Sequence, residues 1–209
     1  MMLALDHIVI GAKNPEQAAK DFSSKYHVEI VPGGEHKNWG THNYLAYFAN
    51  DCYIEWLGVF DKKLAEKANN PLIVQLVHEL EQDKEGVVQI AFRTNDMEDF
   101  HAYFQQASIP AIGPILGRRE KPDGTPLVWK MLFPQADDPM PFLIEWKKGY
   151  EKSHPTSFIN EQIIEQVNIN LTNQLLSTYY KLPAKSKLSL ANTTLYIEES
   201  HSTWSFTLH

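Results

Sequence analysis

The chain holds a single cysteine, Cys52, which excludes an intramolecular disulfide and any paired-cysteine metal site. Flanked by Tyr53 and Ile54, that cysteine reads as a small packed core residue rather than a reactive thiol. Clustered lysine and arginine are also missing: 19 basic residues face 26 acidic ones, for a formal charge of −7 and a pI near 5.7, so no phosphate-binding surface for nucleic acid is expected. No apolar run reaches the roughly 20 residues needed to cross a bilayer. The start, Met1-Met2-Leu3-Ala4-Leu5-Asp6, carries neither a basic leader nor an apolar leader core, and the expected compartment is the cytoplasm. What remains is an ordinary globular composition, 43% hydrophobic and 22% charged over 209 residues, enough for one core or two small units sharing an interface.

The most informative feature present is a repetition. Ile-Glu-Trp occurs as Ile54-Glu55-Trp56 and again as Ile144-Glu145-Trp146, each inside an apolar, strand-like run. A shift of 82 positions aligns the starts of two copies without a gap: His7 with Gln89, Ile8 with Ile90, Asn14 with Asp96, Phe22 with Phe104, Pro32 with Pro114. In the first copy, Asp6 to Ile10 reads as a strand with His7 and Val9 on one face and Ile8 and Ile10 on the other. Asn14 is a helix cap, Pro15 suits the first turn, and Ala18, Phe22 and Tyr26 form one stripe; Asp96, Phe100, Phe104 and Ala107 repeat the plan. Strands are expected over 28–31, 44–49 and 53–59, and over 109–112, 127–133 and 142–147, so each copy reads β-α-β-β-β.

Four segments follow: a first unit over 1–60, a helical connector over 61–85 packed on the outside, a second unit over 86–150, and a C-terminal extension over 151–209. The extension resembles a truncated copy, with a strand over 163–171, a helix over 173–182 and strands over 188–198 and 204–208.

Pseudo-symmetry directs attention to four side chains: His7 and Gln89 on the opening strands, Glu55 and Glu145 on the closing ones. A carboxylate in an apolar concavity costs several kcal/mol unless something positive meets it, and a divalent cation would satisfy both acids at once. The mixed O/N set suits Zn, Ni, Co, Mn or Fe without choosing among them.

The paired units, opened by Asp6-His7-Ile8-Val9-Ile10 and closed by the Ile-Glu-Trp strands, resemble the vicinal oxygen chelate superfamily (glyoxalases, bleomycin-resistance proteins and dioxygenases), and more closely its glyoxalase-like domain family. The stretch from Gly33-Gly34 through Gly40-Thr41-His42-Asn43 is similar to that family's glycine-rich turn and Gly-Thr-x-Asn element. A second match is Arg118-Arg119, followed by Pro122-Asp123-Gly124 and Leu127-Val128-Trp129.

The resemblance implies an α+β fold: tandem βαβββ units forming a half-closed sheet cup, plus the truncated C-terminal α/β extension. It implies His7, Glu55, Gln89 and Glu145 as metal ligands, Glu145 or Glu55 as catalytic base, and His36, His42, Asn43, Arg118 and Arg119 as substrate contacts. Gln89 departs from the commonest pattern, which has His there, and leaves open a His7-Glu55-Glu145 triad or a cup without metal. The function implied is a divalent-metal-dependent lyase or isomerase, or a dioxygenase, acting on a small oxygenated substrate. The alternative is a metal-free small-molecule binding or resistance protein of the same fold. A homodimer is expected from the superfamily's habit of building cups from several units.

Overall fold

In the computed structural model, which describes residues 3–120, 124–148, 158–198 and 203–209, the two copies form one strongly curled sheet. The first copy comprises β1 (Ala4–Gly11), α1 (Pro15–Tyr26), β2 (Val31–His36), β3 (Thr41–Phe48) and β4 (Cys52–Val59). The second comprises β5 (Gly86–Arg93), α4 (Met97–Gln106), β6 (Ala111–Glu120), β7 (Pro126–Pro134) and β8 (Phe142–Trp146), with α2 (Lys62–Ala65) and α3 (Pro71–Glu81) between the copies. The strand order β2-β3-β4-β1-β5-β8-β7-β6 is a mirror-like path, with β1 and β5 antiparallel at its centre. Ile8 pairs with Ile90, residues equivalent under the 82-position shift, so the pseudo-twofold axis passes through that pair. The two ends of the path meet where Arg119 of β6 donates from Nη1 to the carbonyl of Gly33 on β2, narrowing the half-barrel's mouth.

Local chemistry sets the helices. Asn14 caps α1 by accepting from Gln17 N at 3.1 Å, Pro15 starts the helix, and His27 ends it in a left-handed conformation. The α1 stripe ends at Phe22; Tyr26 is 40% exposed and lies against the Phe22 ring. On the convex face of the sheet, Ala19 of α1 and Phe100 and Phe104 of α4 pack on Ile8, Ile54, Trp56, Ile90 and Phe92. Each such buried large apolar side chain contributes roughly 1.5–3 kcal/mol. Cys52 belongs to this core, its thiol directed at Asn50 Oδ1.

The connector does not lie outside. Leu72, Ile73 and Leu76 of α3 insert into the concave face against Val9, Leu57, Val88 and Ala91, plugging one end of the cup. The reason is compositional: the sheet's inner face carries aliphatic residues as well as polar ones, and the Leu72-Ile73-Leu76 stripe supplies the apolar surface that covers them. Strand β2 also departs from expectation, running over Val31–His36 rather than 28–31. Gly33 and Gly34 stand within it, and a Cβ at Gly33 would collide with Asn43 Oδ1. The tight turn falls later, at Gly40 (φ 64°). Strand β6 is likewise longer than expected and carries Arg118 and Arg119; Pro122 and Asp123 of the same motif lie outside the described residues.

The C-terminal extension follows the plan of a unit lacking its outer strand. It comprises β10 (Ile164–Ile169), α5 (Asn173–Tyr180), β11 (Lys187–Ser189) and β12 (Thr194–Ile197), with β13 (Ser205–Leu208) beside β10 as β5 stands beside β1. A short β9 (Ile159–Asn160) pairs with β3 instead. Tyr180 packs edge-on against Phe92 and donates to the Pro141 carbonyl, so the extension closes over the convex core. The boundary expected over 147–155 lies largely outside the described residues. No helix among the described residues is long and apolar enough to cross a membrane.

Candidate functional site

Alternation along β4 sends Ile54 and Trp56 to the convex core and Tyr53, Glu55 and Leu57 into the cup. On β1, a bulge between Leu5 and His7 breaks the alternation, and Asp6 and His7 turn to the same side. The result is a buried chain of polar groups. Asp6 Oδ1 lies 2.8 Å from His7 Nδ1, His7 Nε2 lies 3.5 Å from Glu55 Oε2, and Asn43 Nδ2 donates to Glu55 Oε1 at 2.5 Å. Asp6 is 0% exposed, His7 3%, Asn43 4% and Glu55 6%. The other oxygen of Asp6 accepts from Trp146 Nε1 at 3.0 Å and lies 3.6 Å from Arg93 Nη1. Asp6, which can only accept as a carboxylate, holds the Nδ1 side of the ring and leaves Nε2 facing Glu55 Oε2. Tyr53 stacks beneath the imidazole with ring centroids 4.6 Å apart, and Phe142 meets it edge-on at 5.6 Å.

His7, Asn43, Glu55, Tyr53 and Phe142 line a narrow cavity of about 40 Å³ together with Leu45, Trp129, Met131 and Trp146, with Asp6 behind His7. His36, Trp39 and Arg119 stand at its mouth, where it opens to an outer groove that also takes Arg118. Burial holds His36 neutral, its pKa pushed down to about 4 with further lowering by Arg119 and against the pull of Glu55. Burial likewise raises the phenol of Tyr47 to about 12 and that of Tyr53 well above its usual value, so both rings stay neutral. Asn43 Oδ1 is buried without a hydrogen-bond partner, directed over Gly33.

Of the residues singled out from sequence, His7, Glu55, His36, Asn43 and Arg119 share this cavity, and Arg118 stands in the groove beyond it. Three others lie elsewhere. His42 is on the opposite face of β3 from Asn43, beside Phe60. Gln89 donates to Met140 O at 3.1 Å and to Gln75 Oε1 at 3.3 Å, while its own oxygen accepts from Ile90 N; its carboxamide is committed to backbone and to α3. Glu145 points to the convex side, where Oε1 faces Met97 N at 3.4 Å. It meets the start of α4, where Asp96 makes no side-chain cap bond.

The physical reason for Glu145 is register. On β4, Glu55 pairs with Val9; on β8, Phe142 pairs with Ala91, the equivalent of Val9 under the pseudo-twofold. Phe142 therefore occupies the place of Glu55's symmetry mate, and the second Ile-Glu-Trp sits three positions further along its strand. The connection from β7 to β8 spans seven residues, 135–141, against three, 49–51, between β3 and β4.

The donor set tests the expected metal directly. A catalytic site for a borderline divalent ion takes three protein donors, and a structural one four. Here His7 Nε2 and Glu55 Oε2 converge, with Asp6 placed behind His7 as an orienting carboxylate. The other half of the pseudo-symmetric set is an aromatic ring and a committed amide, and no group of three His, Cys, Asp or Glu able to hold a metal occurs among the described residues. The residues present do not make up a cation cage.

Comparison with known proteins agrees with the architecture. A hypothetical protein from Staphylococcus aureus superposes with a TM-score of 0.76 at 20% identity, over 94% of this chain and 86% of its own. A Streptomyces coelicolor methylmalonyl-CoA epimerase variant, in complex with 2-nitronate-propionyl-CoA, gives 0.52 at 16% identity, over 73% of this chain and 100% of its own. The Mycobacterium tuberculosis methylmalonyl-CoA epimerase gives 0.53 at 15% identity, over 69% and 89%. At these identities the likeness establishes the fold alone. No curated protein matches the sequence. A family model described as "Glyoxalase-like domain" matches residues 5–178, most of the chain. With the tandem units, the central β1–β5 pair and the half-barrel cup on the same residues, the chain belongs to the glyoxalase-like domain family of the vicinal oxygen chelate superfamily.

Proposed function

We propose that the cup is the reaction site of a cytoplasmic lyase or isomerase that moves a proton on a small oxygenated molecule. The observation carrying this reading is the Asp6–His7–Glu55 chain, buried at the end of a narrow cavity with Arg119 at its mouth. Asn43 occupies one oxygen of Glu55 and leaves Oε2 facing His7 and the cavity, where it can take a proton from a carbon next to a carbonyl. Glu55 Oε2 and His7 Nε2, 3.5 Å apart, can pass such a proton between them, so that His7 returns it to the neighbouring atom. Asp6 stabilises the imidazolium that forms on the way, and Arg119 supplies positive charge for the developing oxyanion. The epimerase neighbours, whose names describe stereochemical inversion of an acyl-CoA, are consistent with proton transfer on this scaffold.

A dioxygenase is disfavoured by the donor set, because the usual non-haem iron site needs two histidines and a carboxylate at one point. Metal dependence in general would require ligands beyond His7 and Glu55. The second reading, a metal-free binding or resistance protein, draws on the aromatic wall of Trp129, Phe142 and Trp146 opposite Glu55. In either case the cup is complete within one chain, since both units contribute to the same sheet.

The test is hydrogen–deuterium exchange at carbon, followed by NMR in D2O over a panel of small 2-oxo acids, 2-hydroxy acids and acyl thioesters. The proposal expects exchange with at least one compound. Panel members that bind without exchange by the wild-type protein would favour the binding reading.

A further inference from the structure

The inner cavity accepts only a head group, whereas the space outside it is large. About 40 Å³ takes roughly three waters or a group of that size. Past His36, Trp39 and Arg119, which line both spaces, it opens into a groove of about 990 Å³, at the upper end of ordinary small-ligand sites.

The walls of that groove come from three parts of the fold, and each supplies a cation. The β2–β3 turn gives Lys37, the link between α2 and α3 gives Lys67, and β6 gives Arg118 and Arg119. None of the four has a carboxylate within ion-pair distance among the described residues, although Lys13, Lys20, Lys62, Lys84, Arg93 and Lys130 all do. Glu35 and Glu120 also line the groove, leaving four positive charges against two negative among the described residues. On a chain with a formal charge of −7, a concave positive surface next to the cup attracts anions selectively.

Resting on the reading of the cup as a small-molecule site, we propose that the natural ligand has two parts: a small oxygenated head entering the cup, and a tail with several negative charges lying in the groove against Lys37, Lys67 and Arg118. Lysine ammonium groups serve as point charges and the Arg118 guanidinium as a bidentate partner, a set suited to phosphate or to several carboxylates.

The test is titration of the full chain with inorganic pyrophosphate and, separately, with citrate, read by calorimetry and by the Trp39 indole NMR signal. At least one polyanion should bind and shift Trp39. The double variant Lys67→Glu/Arg118→Glu, altered at exposed positions and checked for wild-type circular dichroism, should bind it at least tenfold more weakly. The stronger of the two anions identifies the tail as phosphate or carboxylate. Glu55→Gln, altered only in the cup, should bind it within twofold of wild type. Equal affinity in wild type and the double variant, or no binding of either anion, overturns the proposal and leaves the cup reading intact. Anion binding in the groove alongside carbon exchange that survives in Glu55→Gln would instead support the groove and sink the reaction assigned to the cup.

Discussion

Asp6 shows what a single residue can hide from a sequence. Strand alternation correctly puts His7 and Val9 on one face, and by the same rule it turns Asp6 away. The bulge after Leu5 reverses that, so the carboxylate adjacent to His7 in sequence also becomes its partner in space. Only the backbone irregularity carries the signal. Replacing Asp6 with Asn removes the charged acceptor for both His7 and Trp146. We expect His7 to lose its fixed Nδ1–H tautomer, visible in long-range nitrogen-15 NMR, and the fold to lose about 1.5–3 kcal/mol in urea unfolding. An unchanged tautomer would remove Asp6 from the site.

His36 makes a pH prediction. Its folded pKa, held at about 4 chiefly by burial, lies below the ordinary value of 6.5, so between these values the unfolded chain binds a proton that the folded chain refuses. Stability from this residue is fully present above pH 6.5 and falls as the pH drops towards 4, by about 3 kcal/mol in total. The variant His36→Gln should flatten that part of the stability profile. An equally steep profile in the variant would assign the slope to other groups.

Among the elements, the two copies are legible in the sequence because β-α-β-β-β punctuation survives in both, down to the Asn14 and Asp96 positions before the helices. The closing strand of the second copy is not. Two identical tripeptides invite the same register, but the longer β7–β8 connection slides one of them by three positions, and an odd slip exchanges the faces of a strand. Glu145 thereby leaves the cup for the start of α4, and Phe142 and Trp146 enter it. The connector eludes sequence reading for a related reason: an apolar helical stripe announces burial without saying on which side of a sheet. Because α3 plugs the concave face, Leu76→Ala should cost about 2–5 kcal/mol. Val74→Ala, at a position 53% exposed on the same helix, should stay within about 0.5 kcal/mol. Comparable losses for the two in denaturant titrations would contradict the inward placement.

Across the whole molecule, the convex core joins both units to the C-terminal extension through α5. One contiguous core implies one cooperative transition. Tyr180→Ala, which removes a fully buried ring and its bond to Pro141, should lower stability by about 3–5 kcal/mol and shift tryptophan fluorescence and far-ultraviolet circular dichroism together. Separate midpoints for the two signals would mean that the extension unfolds on its own. The sequence resemblance reaches the scaffold at this scale because cup and extension are written in repeated punctuation. The half-used site escapes it because symmetry of sequence does not become symmetry of side chains.

The central claim is that Glu55, backed by His7 and Asp6, handles a proton at the inner end of the cup. Its most direct test is the rate of carbon-bound hydrogen–deuterium exchange for the best member of the acid and thioester panel, compared between wild type and Glu55→Gln at equal occupancy. The account predicts a fall of about 10²- to 10⁴-fold with binding retained. Exchange by Glu55→Gln at the wild-type rate would contradict it.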